Sequence, residues 1–186
     1  MASKNYINSV IKQLEYYKIL GEKTFDQLNE EELFWQFNKE SNSISITVNH
    51  LWGNMKSRWT NFLTSDGEKE WRNRDMEFES IIKSKTEMLK KWDDGWNCLF
   101  EAINSLNESN FDSEIFIRNQ RHSIVEAVNR QMTHYSYHIG QIVYVGRMIK
   151  GKDWKSLSIP KGKSKGFNEK KFSKGKHQGH FTDEIK

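Results

Sequence analysis

Proline is almost missing from this 186-residue sequence, occurring once, at Pro160. A chain without proline before residue 160 has few built-in helix breaks, so loop-rich architectures are disfavoured. Cysteine also occurs once, at Cys98. That excludes an intrachain disulfide and any zinc site built on several thiolates. No run of about 18 apolar residues exists, which excludes a membrane-spanning helix. Met1 to Val10 lacks the long apolar stretch of a signal peptide. The expectation is a soluble, cytoplasmic protein.

Apolar residues are scarce at 35%, yet aromatics reach 13%, with 7 Trp and 11 Phe. Large rings supply much buried area per residue, so composition excludes a mostly disordered chain. The length suits one domain that buries roughly 70% of its unfolded surface without staples. A net charge of +4 first points to nucleic acid. Residues 1–150, however, hold 19 Lys+Arg against 21 Asp+Glu, a balance of −2. Residues 151–186 hold 10 against 4, a balance of +6. The basicity belongs to the last fifth of the chain.

Helical periodicity dominates, so the expected fold class is all-α. Tyr6, Val10, Leu14 and Tyr17 mark one stripe on a first helix from about Lys4 to Leu20, with Gly21 as its stop. Thr24 to Glu40 reads as a polar connection anchored by Leu33, Phe34, Trp35 and Phe37. Ser43 caps a second helix carrying Ile46, His50, Trp52, Met55, Trp59 and Phe62, ending near Ser65–Gly67. Glu68 to Phe78 has no clean period and reads as a long ordered loop, its Trp71, Met76 and Phe78 held out of water. Ser84 opens a third helix whose Leu89, Trp92, Trp96, Leu99, Phe100, Ile103 and Leu106 give the strongest amphipathic pattern. Ile115 to Ile117 alternates as a short strand or turn. Ser123 opens a fourth helix that Gly151 closes after Lys150. Four long helices in 150 residues predict a four-helix bundle over residues 1–160. Trp154, Leu157 and Ile159 are expected to dock on the body, and residues 161–186 read as a basic, flexible tail. There is no internal repeat.

The chemistry concentrates on the fourth helix. Arg130, His134 and His138 stand at i, i+4 and i+8 and share one helical face, flanked by Tyr135 and Gln141. His134 and His138 can chelate one ion from a rigid element. On the second helix His50, Asn54 and Arg58 repeat the four-residue spacing within an amphipathic stretch. Three imidazoles and no thiolate describe an open site, the pattern of catalytic metals rather than structural ones. Imidazole suits Zn, Ni, Fe or Cu alike. Asn54 and Glu126 are candidates for partners behind the ligands, with neither placed there by the sequence. The same three histidines fit equally well as hydrogen-bonded core residues tying helix to helix.

Arg58 and Arg130 either hold an anionic substrate group or form salt bridges to Glu126 or a loop carboxylate, the second reading being preferred. The loop Trp71 to Asp75 either covers a pocket or is solvated with Trp71 anchored, and anchoring is preferred. Cys98, on the third-helix stripe, reads as a small buried hydrophobe. His122, before a cap, and His177 and His180, in the tail, are weaker metal candidates.

The segments "SITVNHLWGNMKSRW", with His50, and "NRQMTHYSYHIGQIVYVGRM", with His134 and His138, resemble the DinB-like (DinB/YfiT) superfamily of bacterial metal-binding bundles. "ESNSISITVNHLWGNMKSRWTNFLTSDGEKEWRNRD" and "WKSLSIPKG" resemble one subfamily of that group, of unestablished role. The resemblance spans about residues 1–165. It implies an up-down-down-up bundle with one divalent metal on His50, His134 and His138, and a homodimer. Some members are bacillithiol S-transferases or a mycothiol-dependent maleylpyruvate isomerase, in which the metal activates a low-molecular-weight thiol. Metal binding transfers across such a superfamily better than reaction does.

Three functions follow as expectations. The first is a metal-dependent enzyme acting on a small molecule, either with a thiol such as bacillithiol or as a hydrolase. The second is a non-catalytic metal-binding or stress-related interaction module. The third, a nucleic-acid binder acting through the tail, ranks last: Phe167, Phe172 and Phe181 are the tail's only phenylalanines and it lacks a recognition helix.

Overall fold

Serine and asparagine side chains start the helices where the cap pattern requires. In the computed structural model, which describes residues 2–183, Ser43, Ser84 and Ser123 accept from the backbone N–H three residues on, at 3.1, 3.1 and 3.2 Å. They open α3 (Ile44–Trp59), α4 (Lys85–Asn104) and α5 (Ile124–Lys150), and α1 (Ala2–Phe25) precedes them. A short α2 (Glu30–Phe34) follows α1, capped by Asn29. The chain is mostly helical. No helix of the described residues is long and apolar enough to cross a membrane.

The long helices pack in a closed circuit: α3 lies along α4, α1 along α5, α3 against α5 and α1 against α4. Between them sits one core. Val10 and Leu14 share it with Leu51, Met55, Trp92, Trp96, Leu99, Tyr135 and Ile139, all nearly inaccessible to solvent. Aromatic edges stitch this core. Phe25 meets Trp92 at 4.9 Å, Trp92 meets Trp96 at 5.4 Å, and Trp96 meets Tyr135 at 6.1 Å.

Several expected boundaries move. Gly21 does not stop α1, which continues to Phe25. Its lack of a side chain serves packing, since a Cβ there would stand 2.4 Å from the Trp92 ring. The second helix ends at Trp59 rather than near Ser65. There Asn61 takes a left-handed backbone (φ 49°) and its carbonyl turns to Thr64 and Ser65. On α4 it is Met88, fully buried, that faces the core, and Leu89 is half-buried.

Ile115 and Ile117 do lie on a strand. β1 (Glu114–Ile117) pairs antiparallel with β2 (Gln120–Ser123), register Ile117 opposite Gln120. The two turn residues, Arg118 and Asn119, both have positive φ, as a tight hairpin demands. Asp66 clasps this turn, accepting from both backbone N–H groups at 2.8 Å. Gly67 N donates to Phe116 O at 2.7 Å. The hairpin is thereby tied to the end of α3, with Arg118 beside the helices.

Trp154 packs near Gly146, and Lys155 exchanges two hydrogen bonds with Gln27, so the chain after α5 docks beside α5 and on the turn that follows α1. The basic segment contains α6 (Ser164–Phe172). Farther on, Phe181 meets Tyr16 edge-on at 5.6 Å, Thr182 is buried, and Asp183 pairs with Lys12 at 3.1 Å.

Candidate metal centre

His50 on α3 and His134 and His138 on α5 converge where those helices touch. Their ligating nitrogens all lie within 4.8 Å of one another. His134 Nε2 stands 3.3 Å from His50 Nε2 and 3.0 Å from His138 Nε2. His50 and His138 are buried, and His134 is half-buried.

The outer nitrogens decide what the inner ones present. His50 Nδ1 lies 2.8 Å from the Glu77 carboxylate, which only accepts, so the neutral ring carries its proton there. His138 Nδ1 lies 2.8 Å from Gln141 Oε1, again an acceptor, while Gln141 Nε2 donates to Tyr137. Both rings therefore turn Nε2 lone pairs toward His134. Its single Nε2 can donate to one of them at most, which leaves lone pair facing lone pair. A cation bound between the three rings would resolve the conflict. Two nitrogens about 2.0–2.1 Å from one zinc stand roughly 3.3 Å apart at the tetrahedral angle. The observed separations fit that donor set.

Burial keeps the rings in the form a metal needs. Desolvation, and then the neighbouring His138 and His50, hold His134 down to about 3. Desolvation and His50 hold His138 down to about 4, against an opposing Gln141 hydrogen bond. Both values lie below that of an unfolded histidine, so stability from these rings is present above about pH 6.5 and lost as pH falls. The metal-free protein is expected to show a denaturation midpoint that drops between about pH 6.5 and 5, above the carboxylate range. Chemical denaturation in chelator across that window checks it. A flat profile would contradict it.

The residue that sequence reasoning missed is Glu77. It lies on a 3₁₀ turn (Asp75–Phe78) in the loop between α3 and α4. Arg72 grips it with two guanidinium bonds, Nε to Oε1 at 2.7 Å and Nη2 to Oε2 at 2.9 Å. Burial pushes the Glu77 carboxyl up, but the His50 bond and Arg72 more than reverse this, so it stays below the usual range and ionised. Gly53, one turn past His50, admits it: a Cβ there would lie 2.4 Å from Glu77 Oε1. Phe78 stacks on the His50 ring at 4.6 Å. These contacts fix the tautomer and orientation of the His50 ring. The local signal was a glycine within an apolar helix, which marks a close approach without naming the visitor.

The loop differs from its preferred reading. Trp71 is 60% exposed and Met76 44% exposed, so neither anchors it. The anchor is Arg72, whose side chain is 2% exposed because Glu77 and Glu68 satisfy its charge. Arg72 and Arg74 line the cavity over the histidines. Glu126 is also elsewhere: exposed, it accepts from Ser123 N at 2.7 Å and serves the α5 cap. Asn54 lines the cavity and accepts from Tyr135, which accepts from Trp59. Arg58, buried, donates to Gly67 O and to Glu68, so its preferred salt bridge exists, made to a loop carboxylate. Arg130 is exposed at the cavity and donates to His122 at 3.3 Å. Cys98 is half-buried rather than buried.

Residues 1–163 match the family described as Protein of unknown function (DUF1572). The chain belongs to that family. The match takes in every histidine of the triad and Glu77, and it stops just before α6. No curated protein and no solved structure matches the chain.

Proposed function

We propose that this DUF1572 chain is a DinB-like four-helix bundle, α1, α3, α4 and α5, that binds one divalent metal through His50, His134 and His138. We further propose that it uses the metal to act on a small molecule, with a low-molecular-weight thiol or as a hydrolase. The observation that carries the reading is the convergence of three imidazoles lining an open cavity, two of which, His50 and His138, have their outer nitrogens bonded to acceptors. Zn, Ni and Fe all suit the donor set. The homodimer implied by the DinB-like resemblance belongs to the same proposal.

When bound, such a metal supplies Lewis acidity that lowers the pKa of a thiol or water presented to it. The chain's own residues do the positioning. Glu77 and Phe78 hold the His50 ring, Gln141 holds His138, and the Tyr135–Asn54 bond ties α5 to α3 beside them. Three protein ligands leave room for an incoming group, the arrangement of catalytic rather than structural sites.

Elemental analysis of the purified protein tests the metal half, with about one divalent ion per chain expected. A panel of thiols with a generic electrophile, and a panel of esters and amides, tests the turnover half. Activity is expected to vanish on chelation and return with metal. Absence of bound metal after incubation with zinc, nickel and ferrous iron would overturn the whole reading. Bound metal without turnover in either panel would overturn the enzymatic half and leave a metal-binding module.

A further inference from the structure

The cavity of about 410 Å³ above the histidines is lined by five arginines, Arg58, Arg72, Arg74, Arg118 and Arg130. Among its described lining residues there is no aspartate or glutamate. Two carboxylates lie behind the wall and are fully engaged. Glu77 holds Arg72 and His50. Glu68 Oε2 meets Arg58, Arg72 and Arg118 at 3.3, 3.1 and 3.2 Å. Five guanidiniums against two carboxylates leave an excess of three positive charges before any metal is added.

The excess sits where a ligand would reach it. Arg74 and Arg130 are exposed at the cavity, and among the described residues neither belongs to an ion pair. Arg74 lies over the Phe78 ring at 5.1 Å, and Arg130 donates to a histidine nitrogen, contacts that leave their charge uncompensated. Hydrogen-bonding capacity is also open on buried lining residues. Arg58, 6% exposed, has no acceptor for Nε, and Gln131, 3% exposed, has no donor for Oε1. A convergent set of like charges on a concave surface focuses potential and draws in anions. Guanidinium forks match the planar or tetrahedral oxygens of carboxylate and phosphate.

We propose that this cavity receives a small molecule through an oxyanion group, a carboxylate or a phosphate, held by Arg74 and Arg130 at the mouth with Arg58 behind them. The ligand is a small metabolite rather than a polymer, because the cavity is at the small end of ligand pockets, which run from about 300 to 1,000 Å³. The proposal deepens the metal-centre reading and rests on it in one respect: the oxyanion places the rest of the substrate over the triad. Arg58 and Arg72 are positioning residues for the pocket wall as well, so the informative substitutions are at the two exposed arginines.

The test is calorimetric titration of the zinc-loaded full chain at low ionic strength with inorganic phosphate and, separately, with malonate. Chloride at matched ionic strength is the reference. Binding of either is expected, and the better of the two identifies the group. The double variant Arg74→Gln/Arg130→Gln is expected to weaken it about tenfold or more, with zinc content unchanged. No binding of either anion at millimolar concentration to protein that holds zinc would overturn the proposal. So would equal affinity in the double variant. Failure to hold zinc at all is a different result and strikes the metal reading, since titration of the zinc-free chain still reports on the arginines.

Discussion

Glu77→Ala is expected to lower the unfolding free energy by about 3–5 kcal/mol and to weaken metal binding by about 10–100-fold. The first effect follows from burial. The Glu77 and Arg72 side chains are 6% and 2% exposed, and removing one partner leaves a charge enclosed without its counterion. Glu68 retains a contact to Arg72, at 3.1 Å from Nη1, but Nε and Nη2 lose both acceptors. Since domains are stable by about 5–15 kcal/mol, such a loss is a large share of the total. The second effect follows from orientation. Without the carboxylate nothing holds the proton on His50 Nδ1, and the ring is free to change tautomer and turn its lone pair away.

Glu77→Gln tests the charge rather than the shape. The amide fills the space beside Gly53 but is neutral, so the buried Arg72 still loses its counterion and part of the stability loss remains. Its oxygen can still accept from His50, but as a neutral acceptor, and its NH₂ then faces Arg72 Nε, so metal affinity is expected to fall about 10-fold, the lower end of the range. Denaturant melts read beside zinc titrations check both variants. Unchanged zinc affinity in Glu77→Gln would remove the carboxylate from the metal's support.

What local chemistry dictates was legible in the chain. Histidines four apart share a helical face whatever surrounds them, so His134 and His138 were bound to meet if the helix formed. Ser43, Ser84 and Ser123 cap as expected because a cap is settled within three residues. His50 needed tertiary information, and the amphipathic stripe of its helix supplied the direction. Glu77 was hidden because its partner is 27 positions away and its own loop has no period. Trp71 was misjudged by hydrophobicity alone. Arg72 went inside instead, since two carboxylates compensate a buried guanidinium while an indole needs no such device to sit exposed. Glu126, expected as a site partner, instead closes the cap with Ser123 three residues before it.

His134→Ala is expected to behave in the opposite way to Glu77→Ala. The half-buried His134 ring sits beside an open cavity, its nearest nitrogen contacts being two other imidazoles that cannot both be donated to. Its loss leaves space that water can fill, so metal-free stability is expected to change by about 1 kcal/mol or less. Metal binding is another matter, because two imidazoles remain where three converged. A ligand that binds only the folded chain stabilises it by about 4.1 kcal/mol at 1,000 times its dissociation constant. In a chain of this length that raises the melting temperature by about 8–16 °C. Wild type is expected to show this rise with excess zinc, and His134→Ala to show almost none. His177→Ala/His180→Ala is the control, since those rings lie in the basic segment and not at the triad. Differential scanning calorimetry with and without zinc reads all three. A zinc-induced rise that survives in His134→Ala but vanishes in the tail variant would move the metal site from the triad to the C-terminal segment.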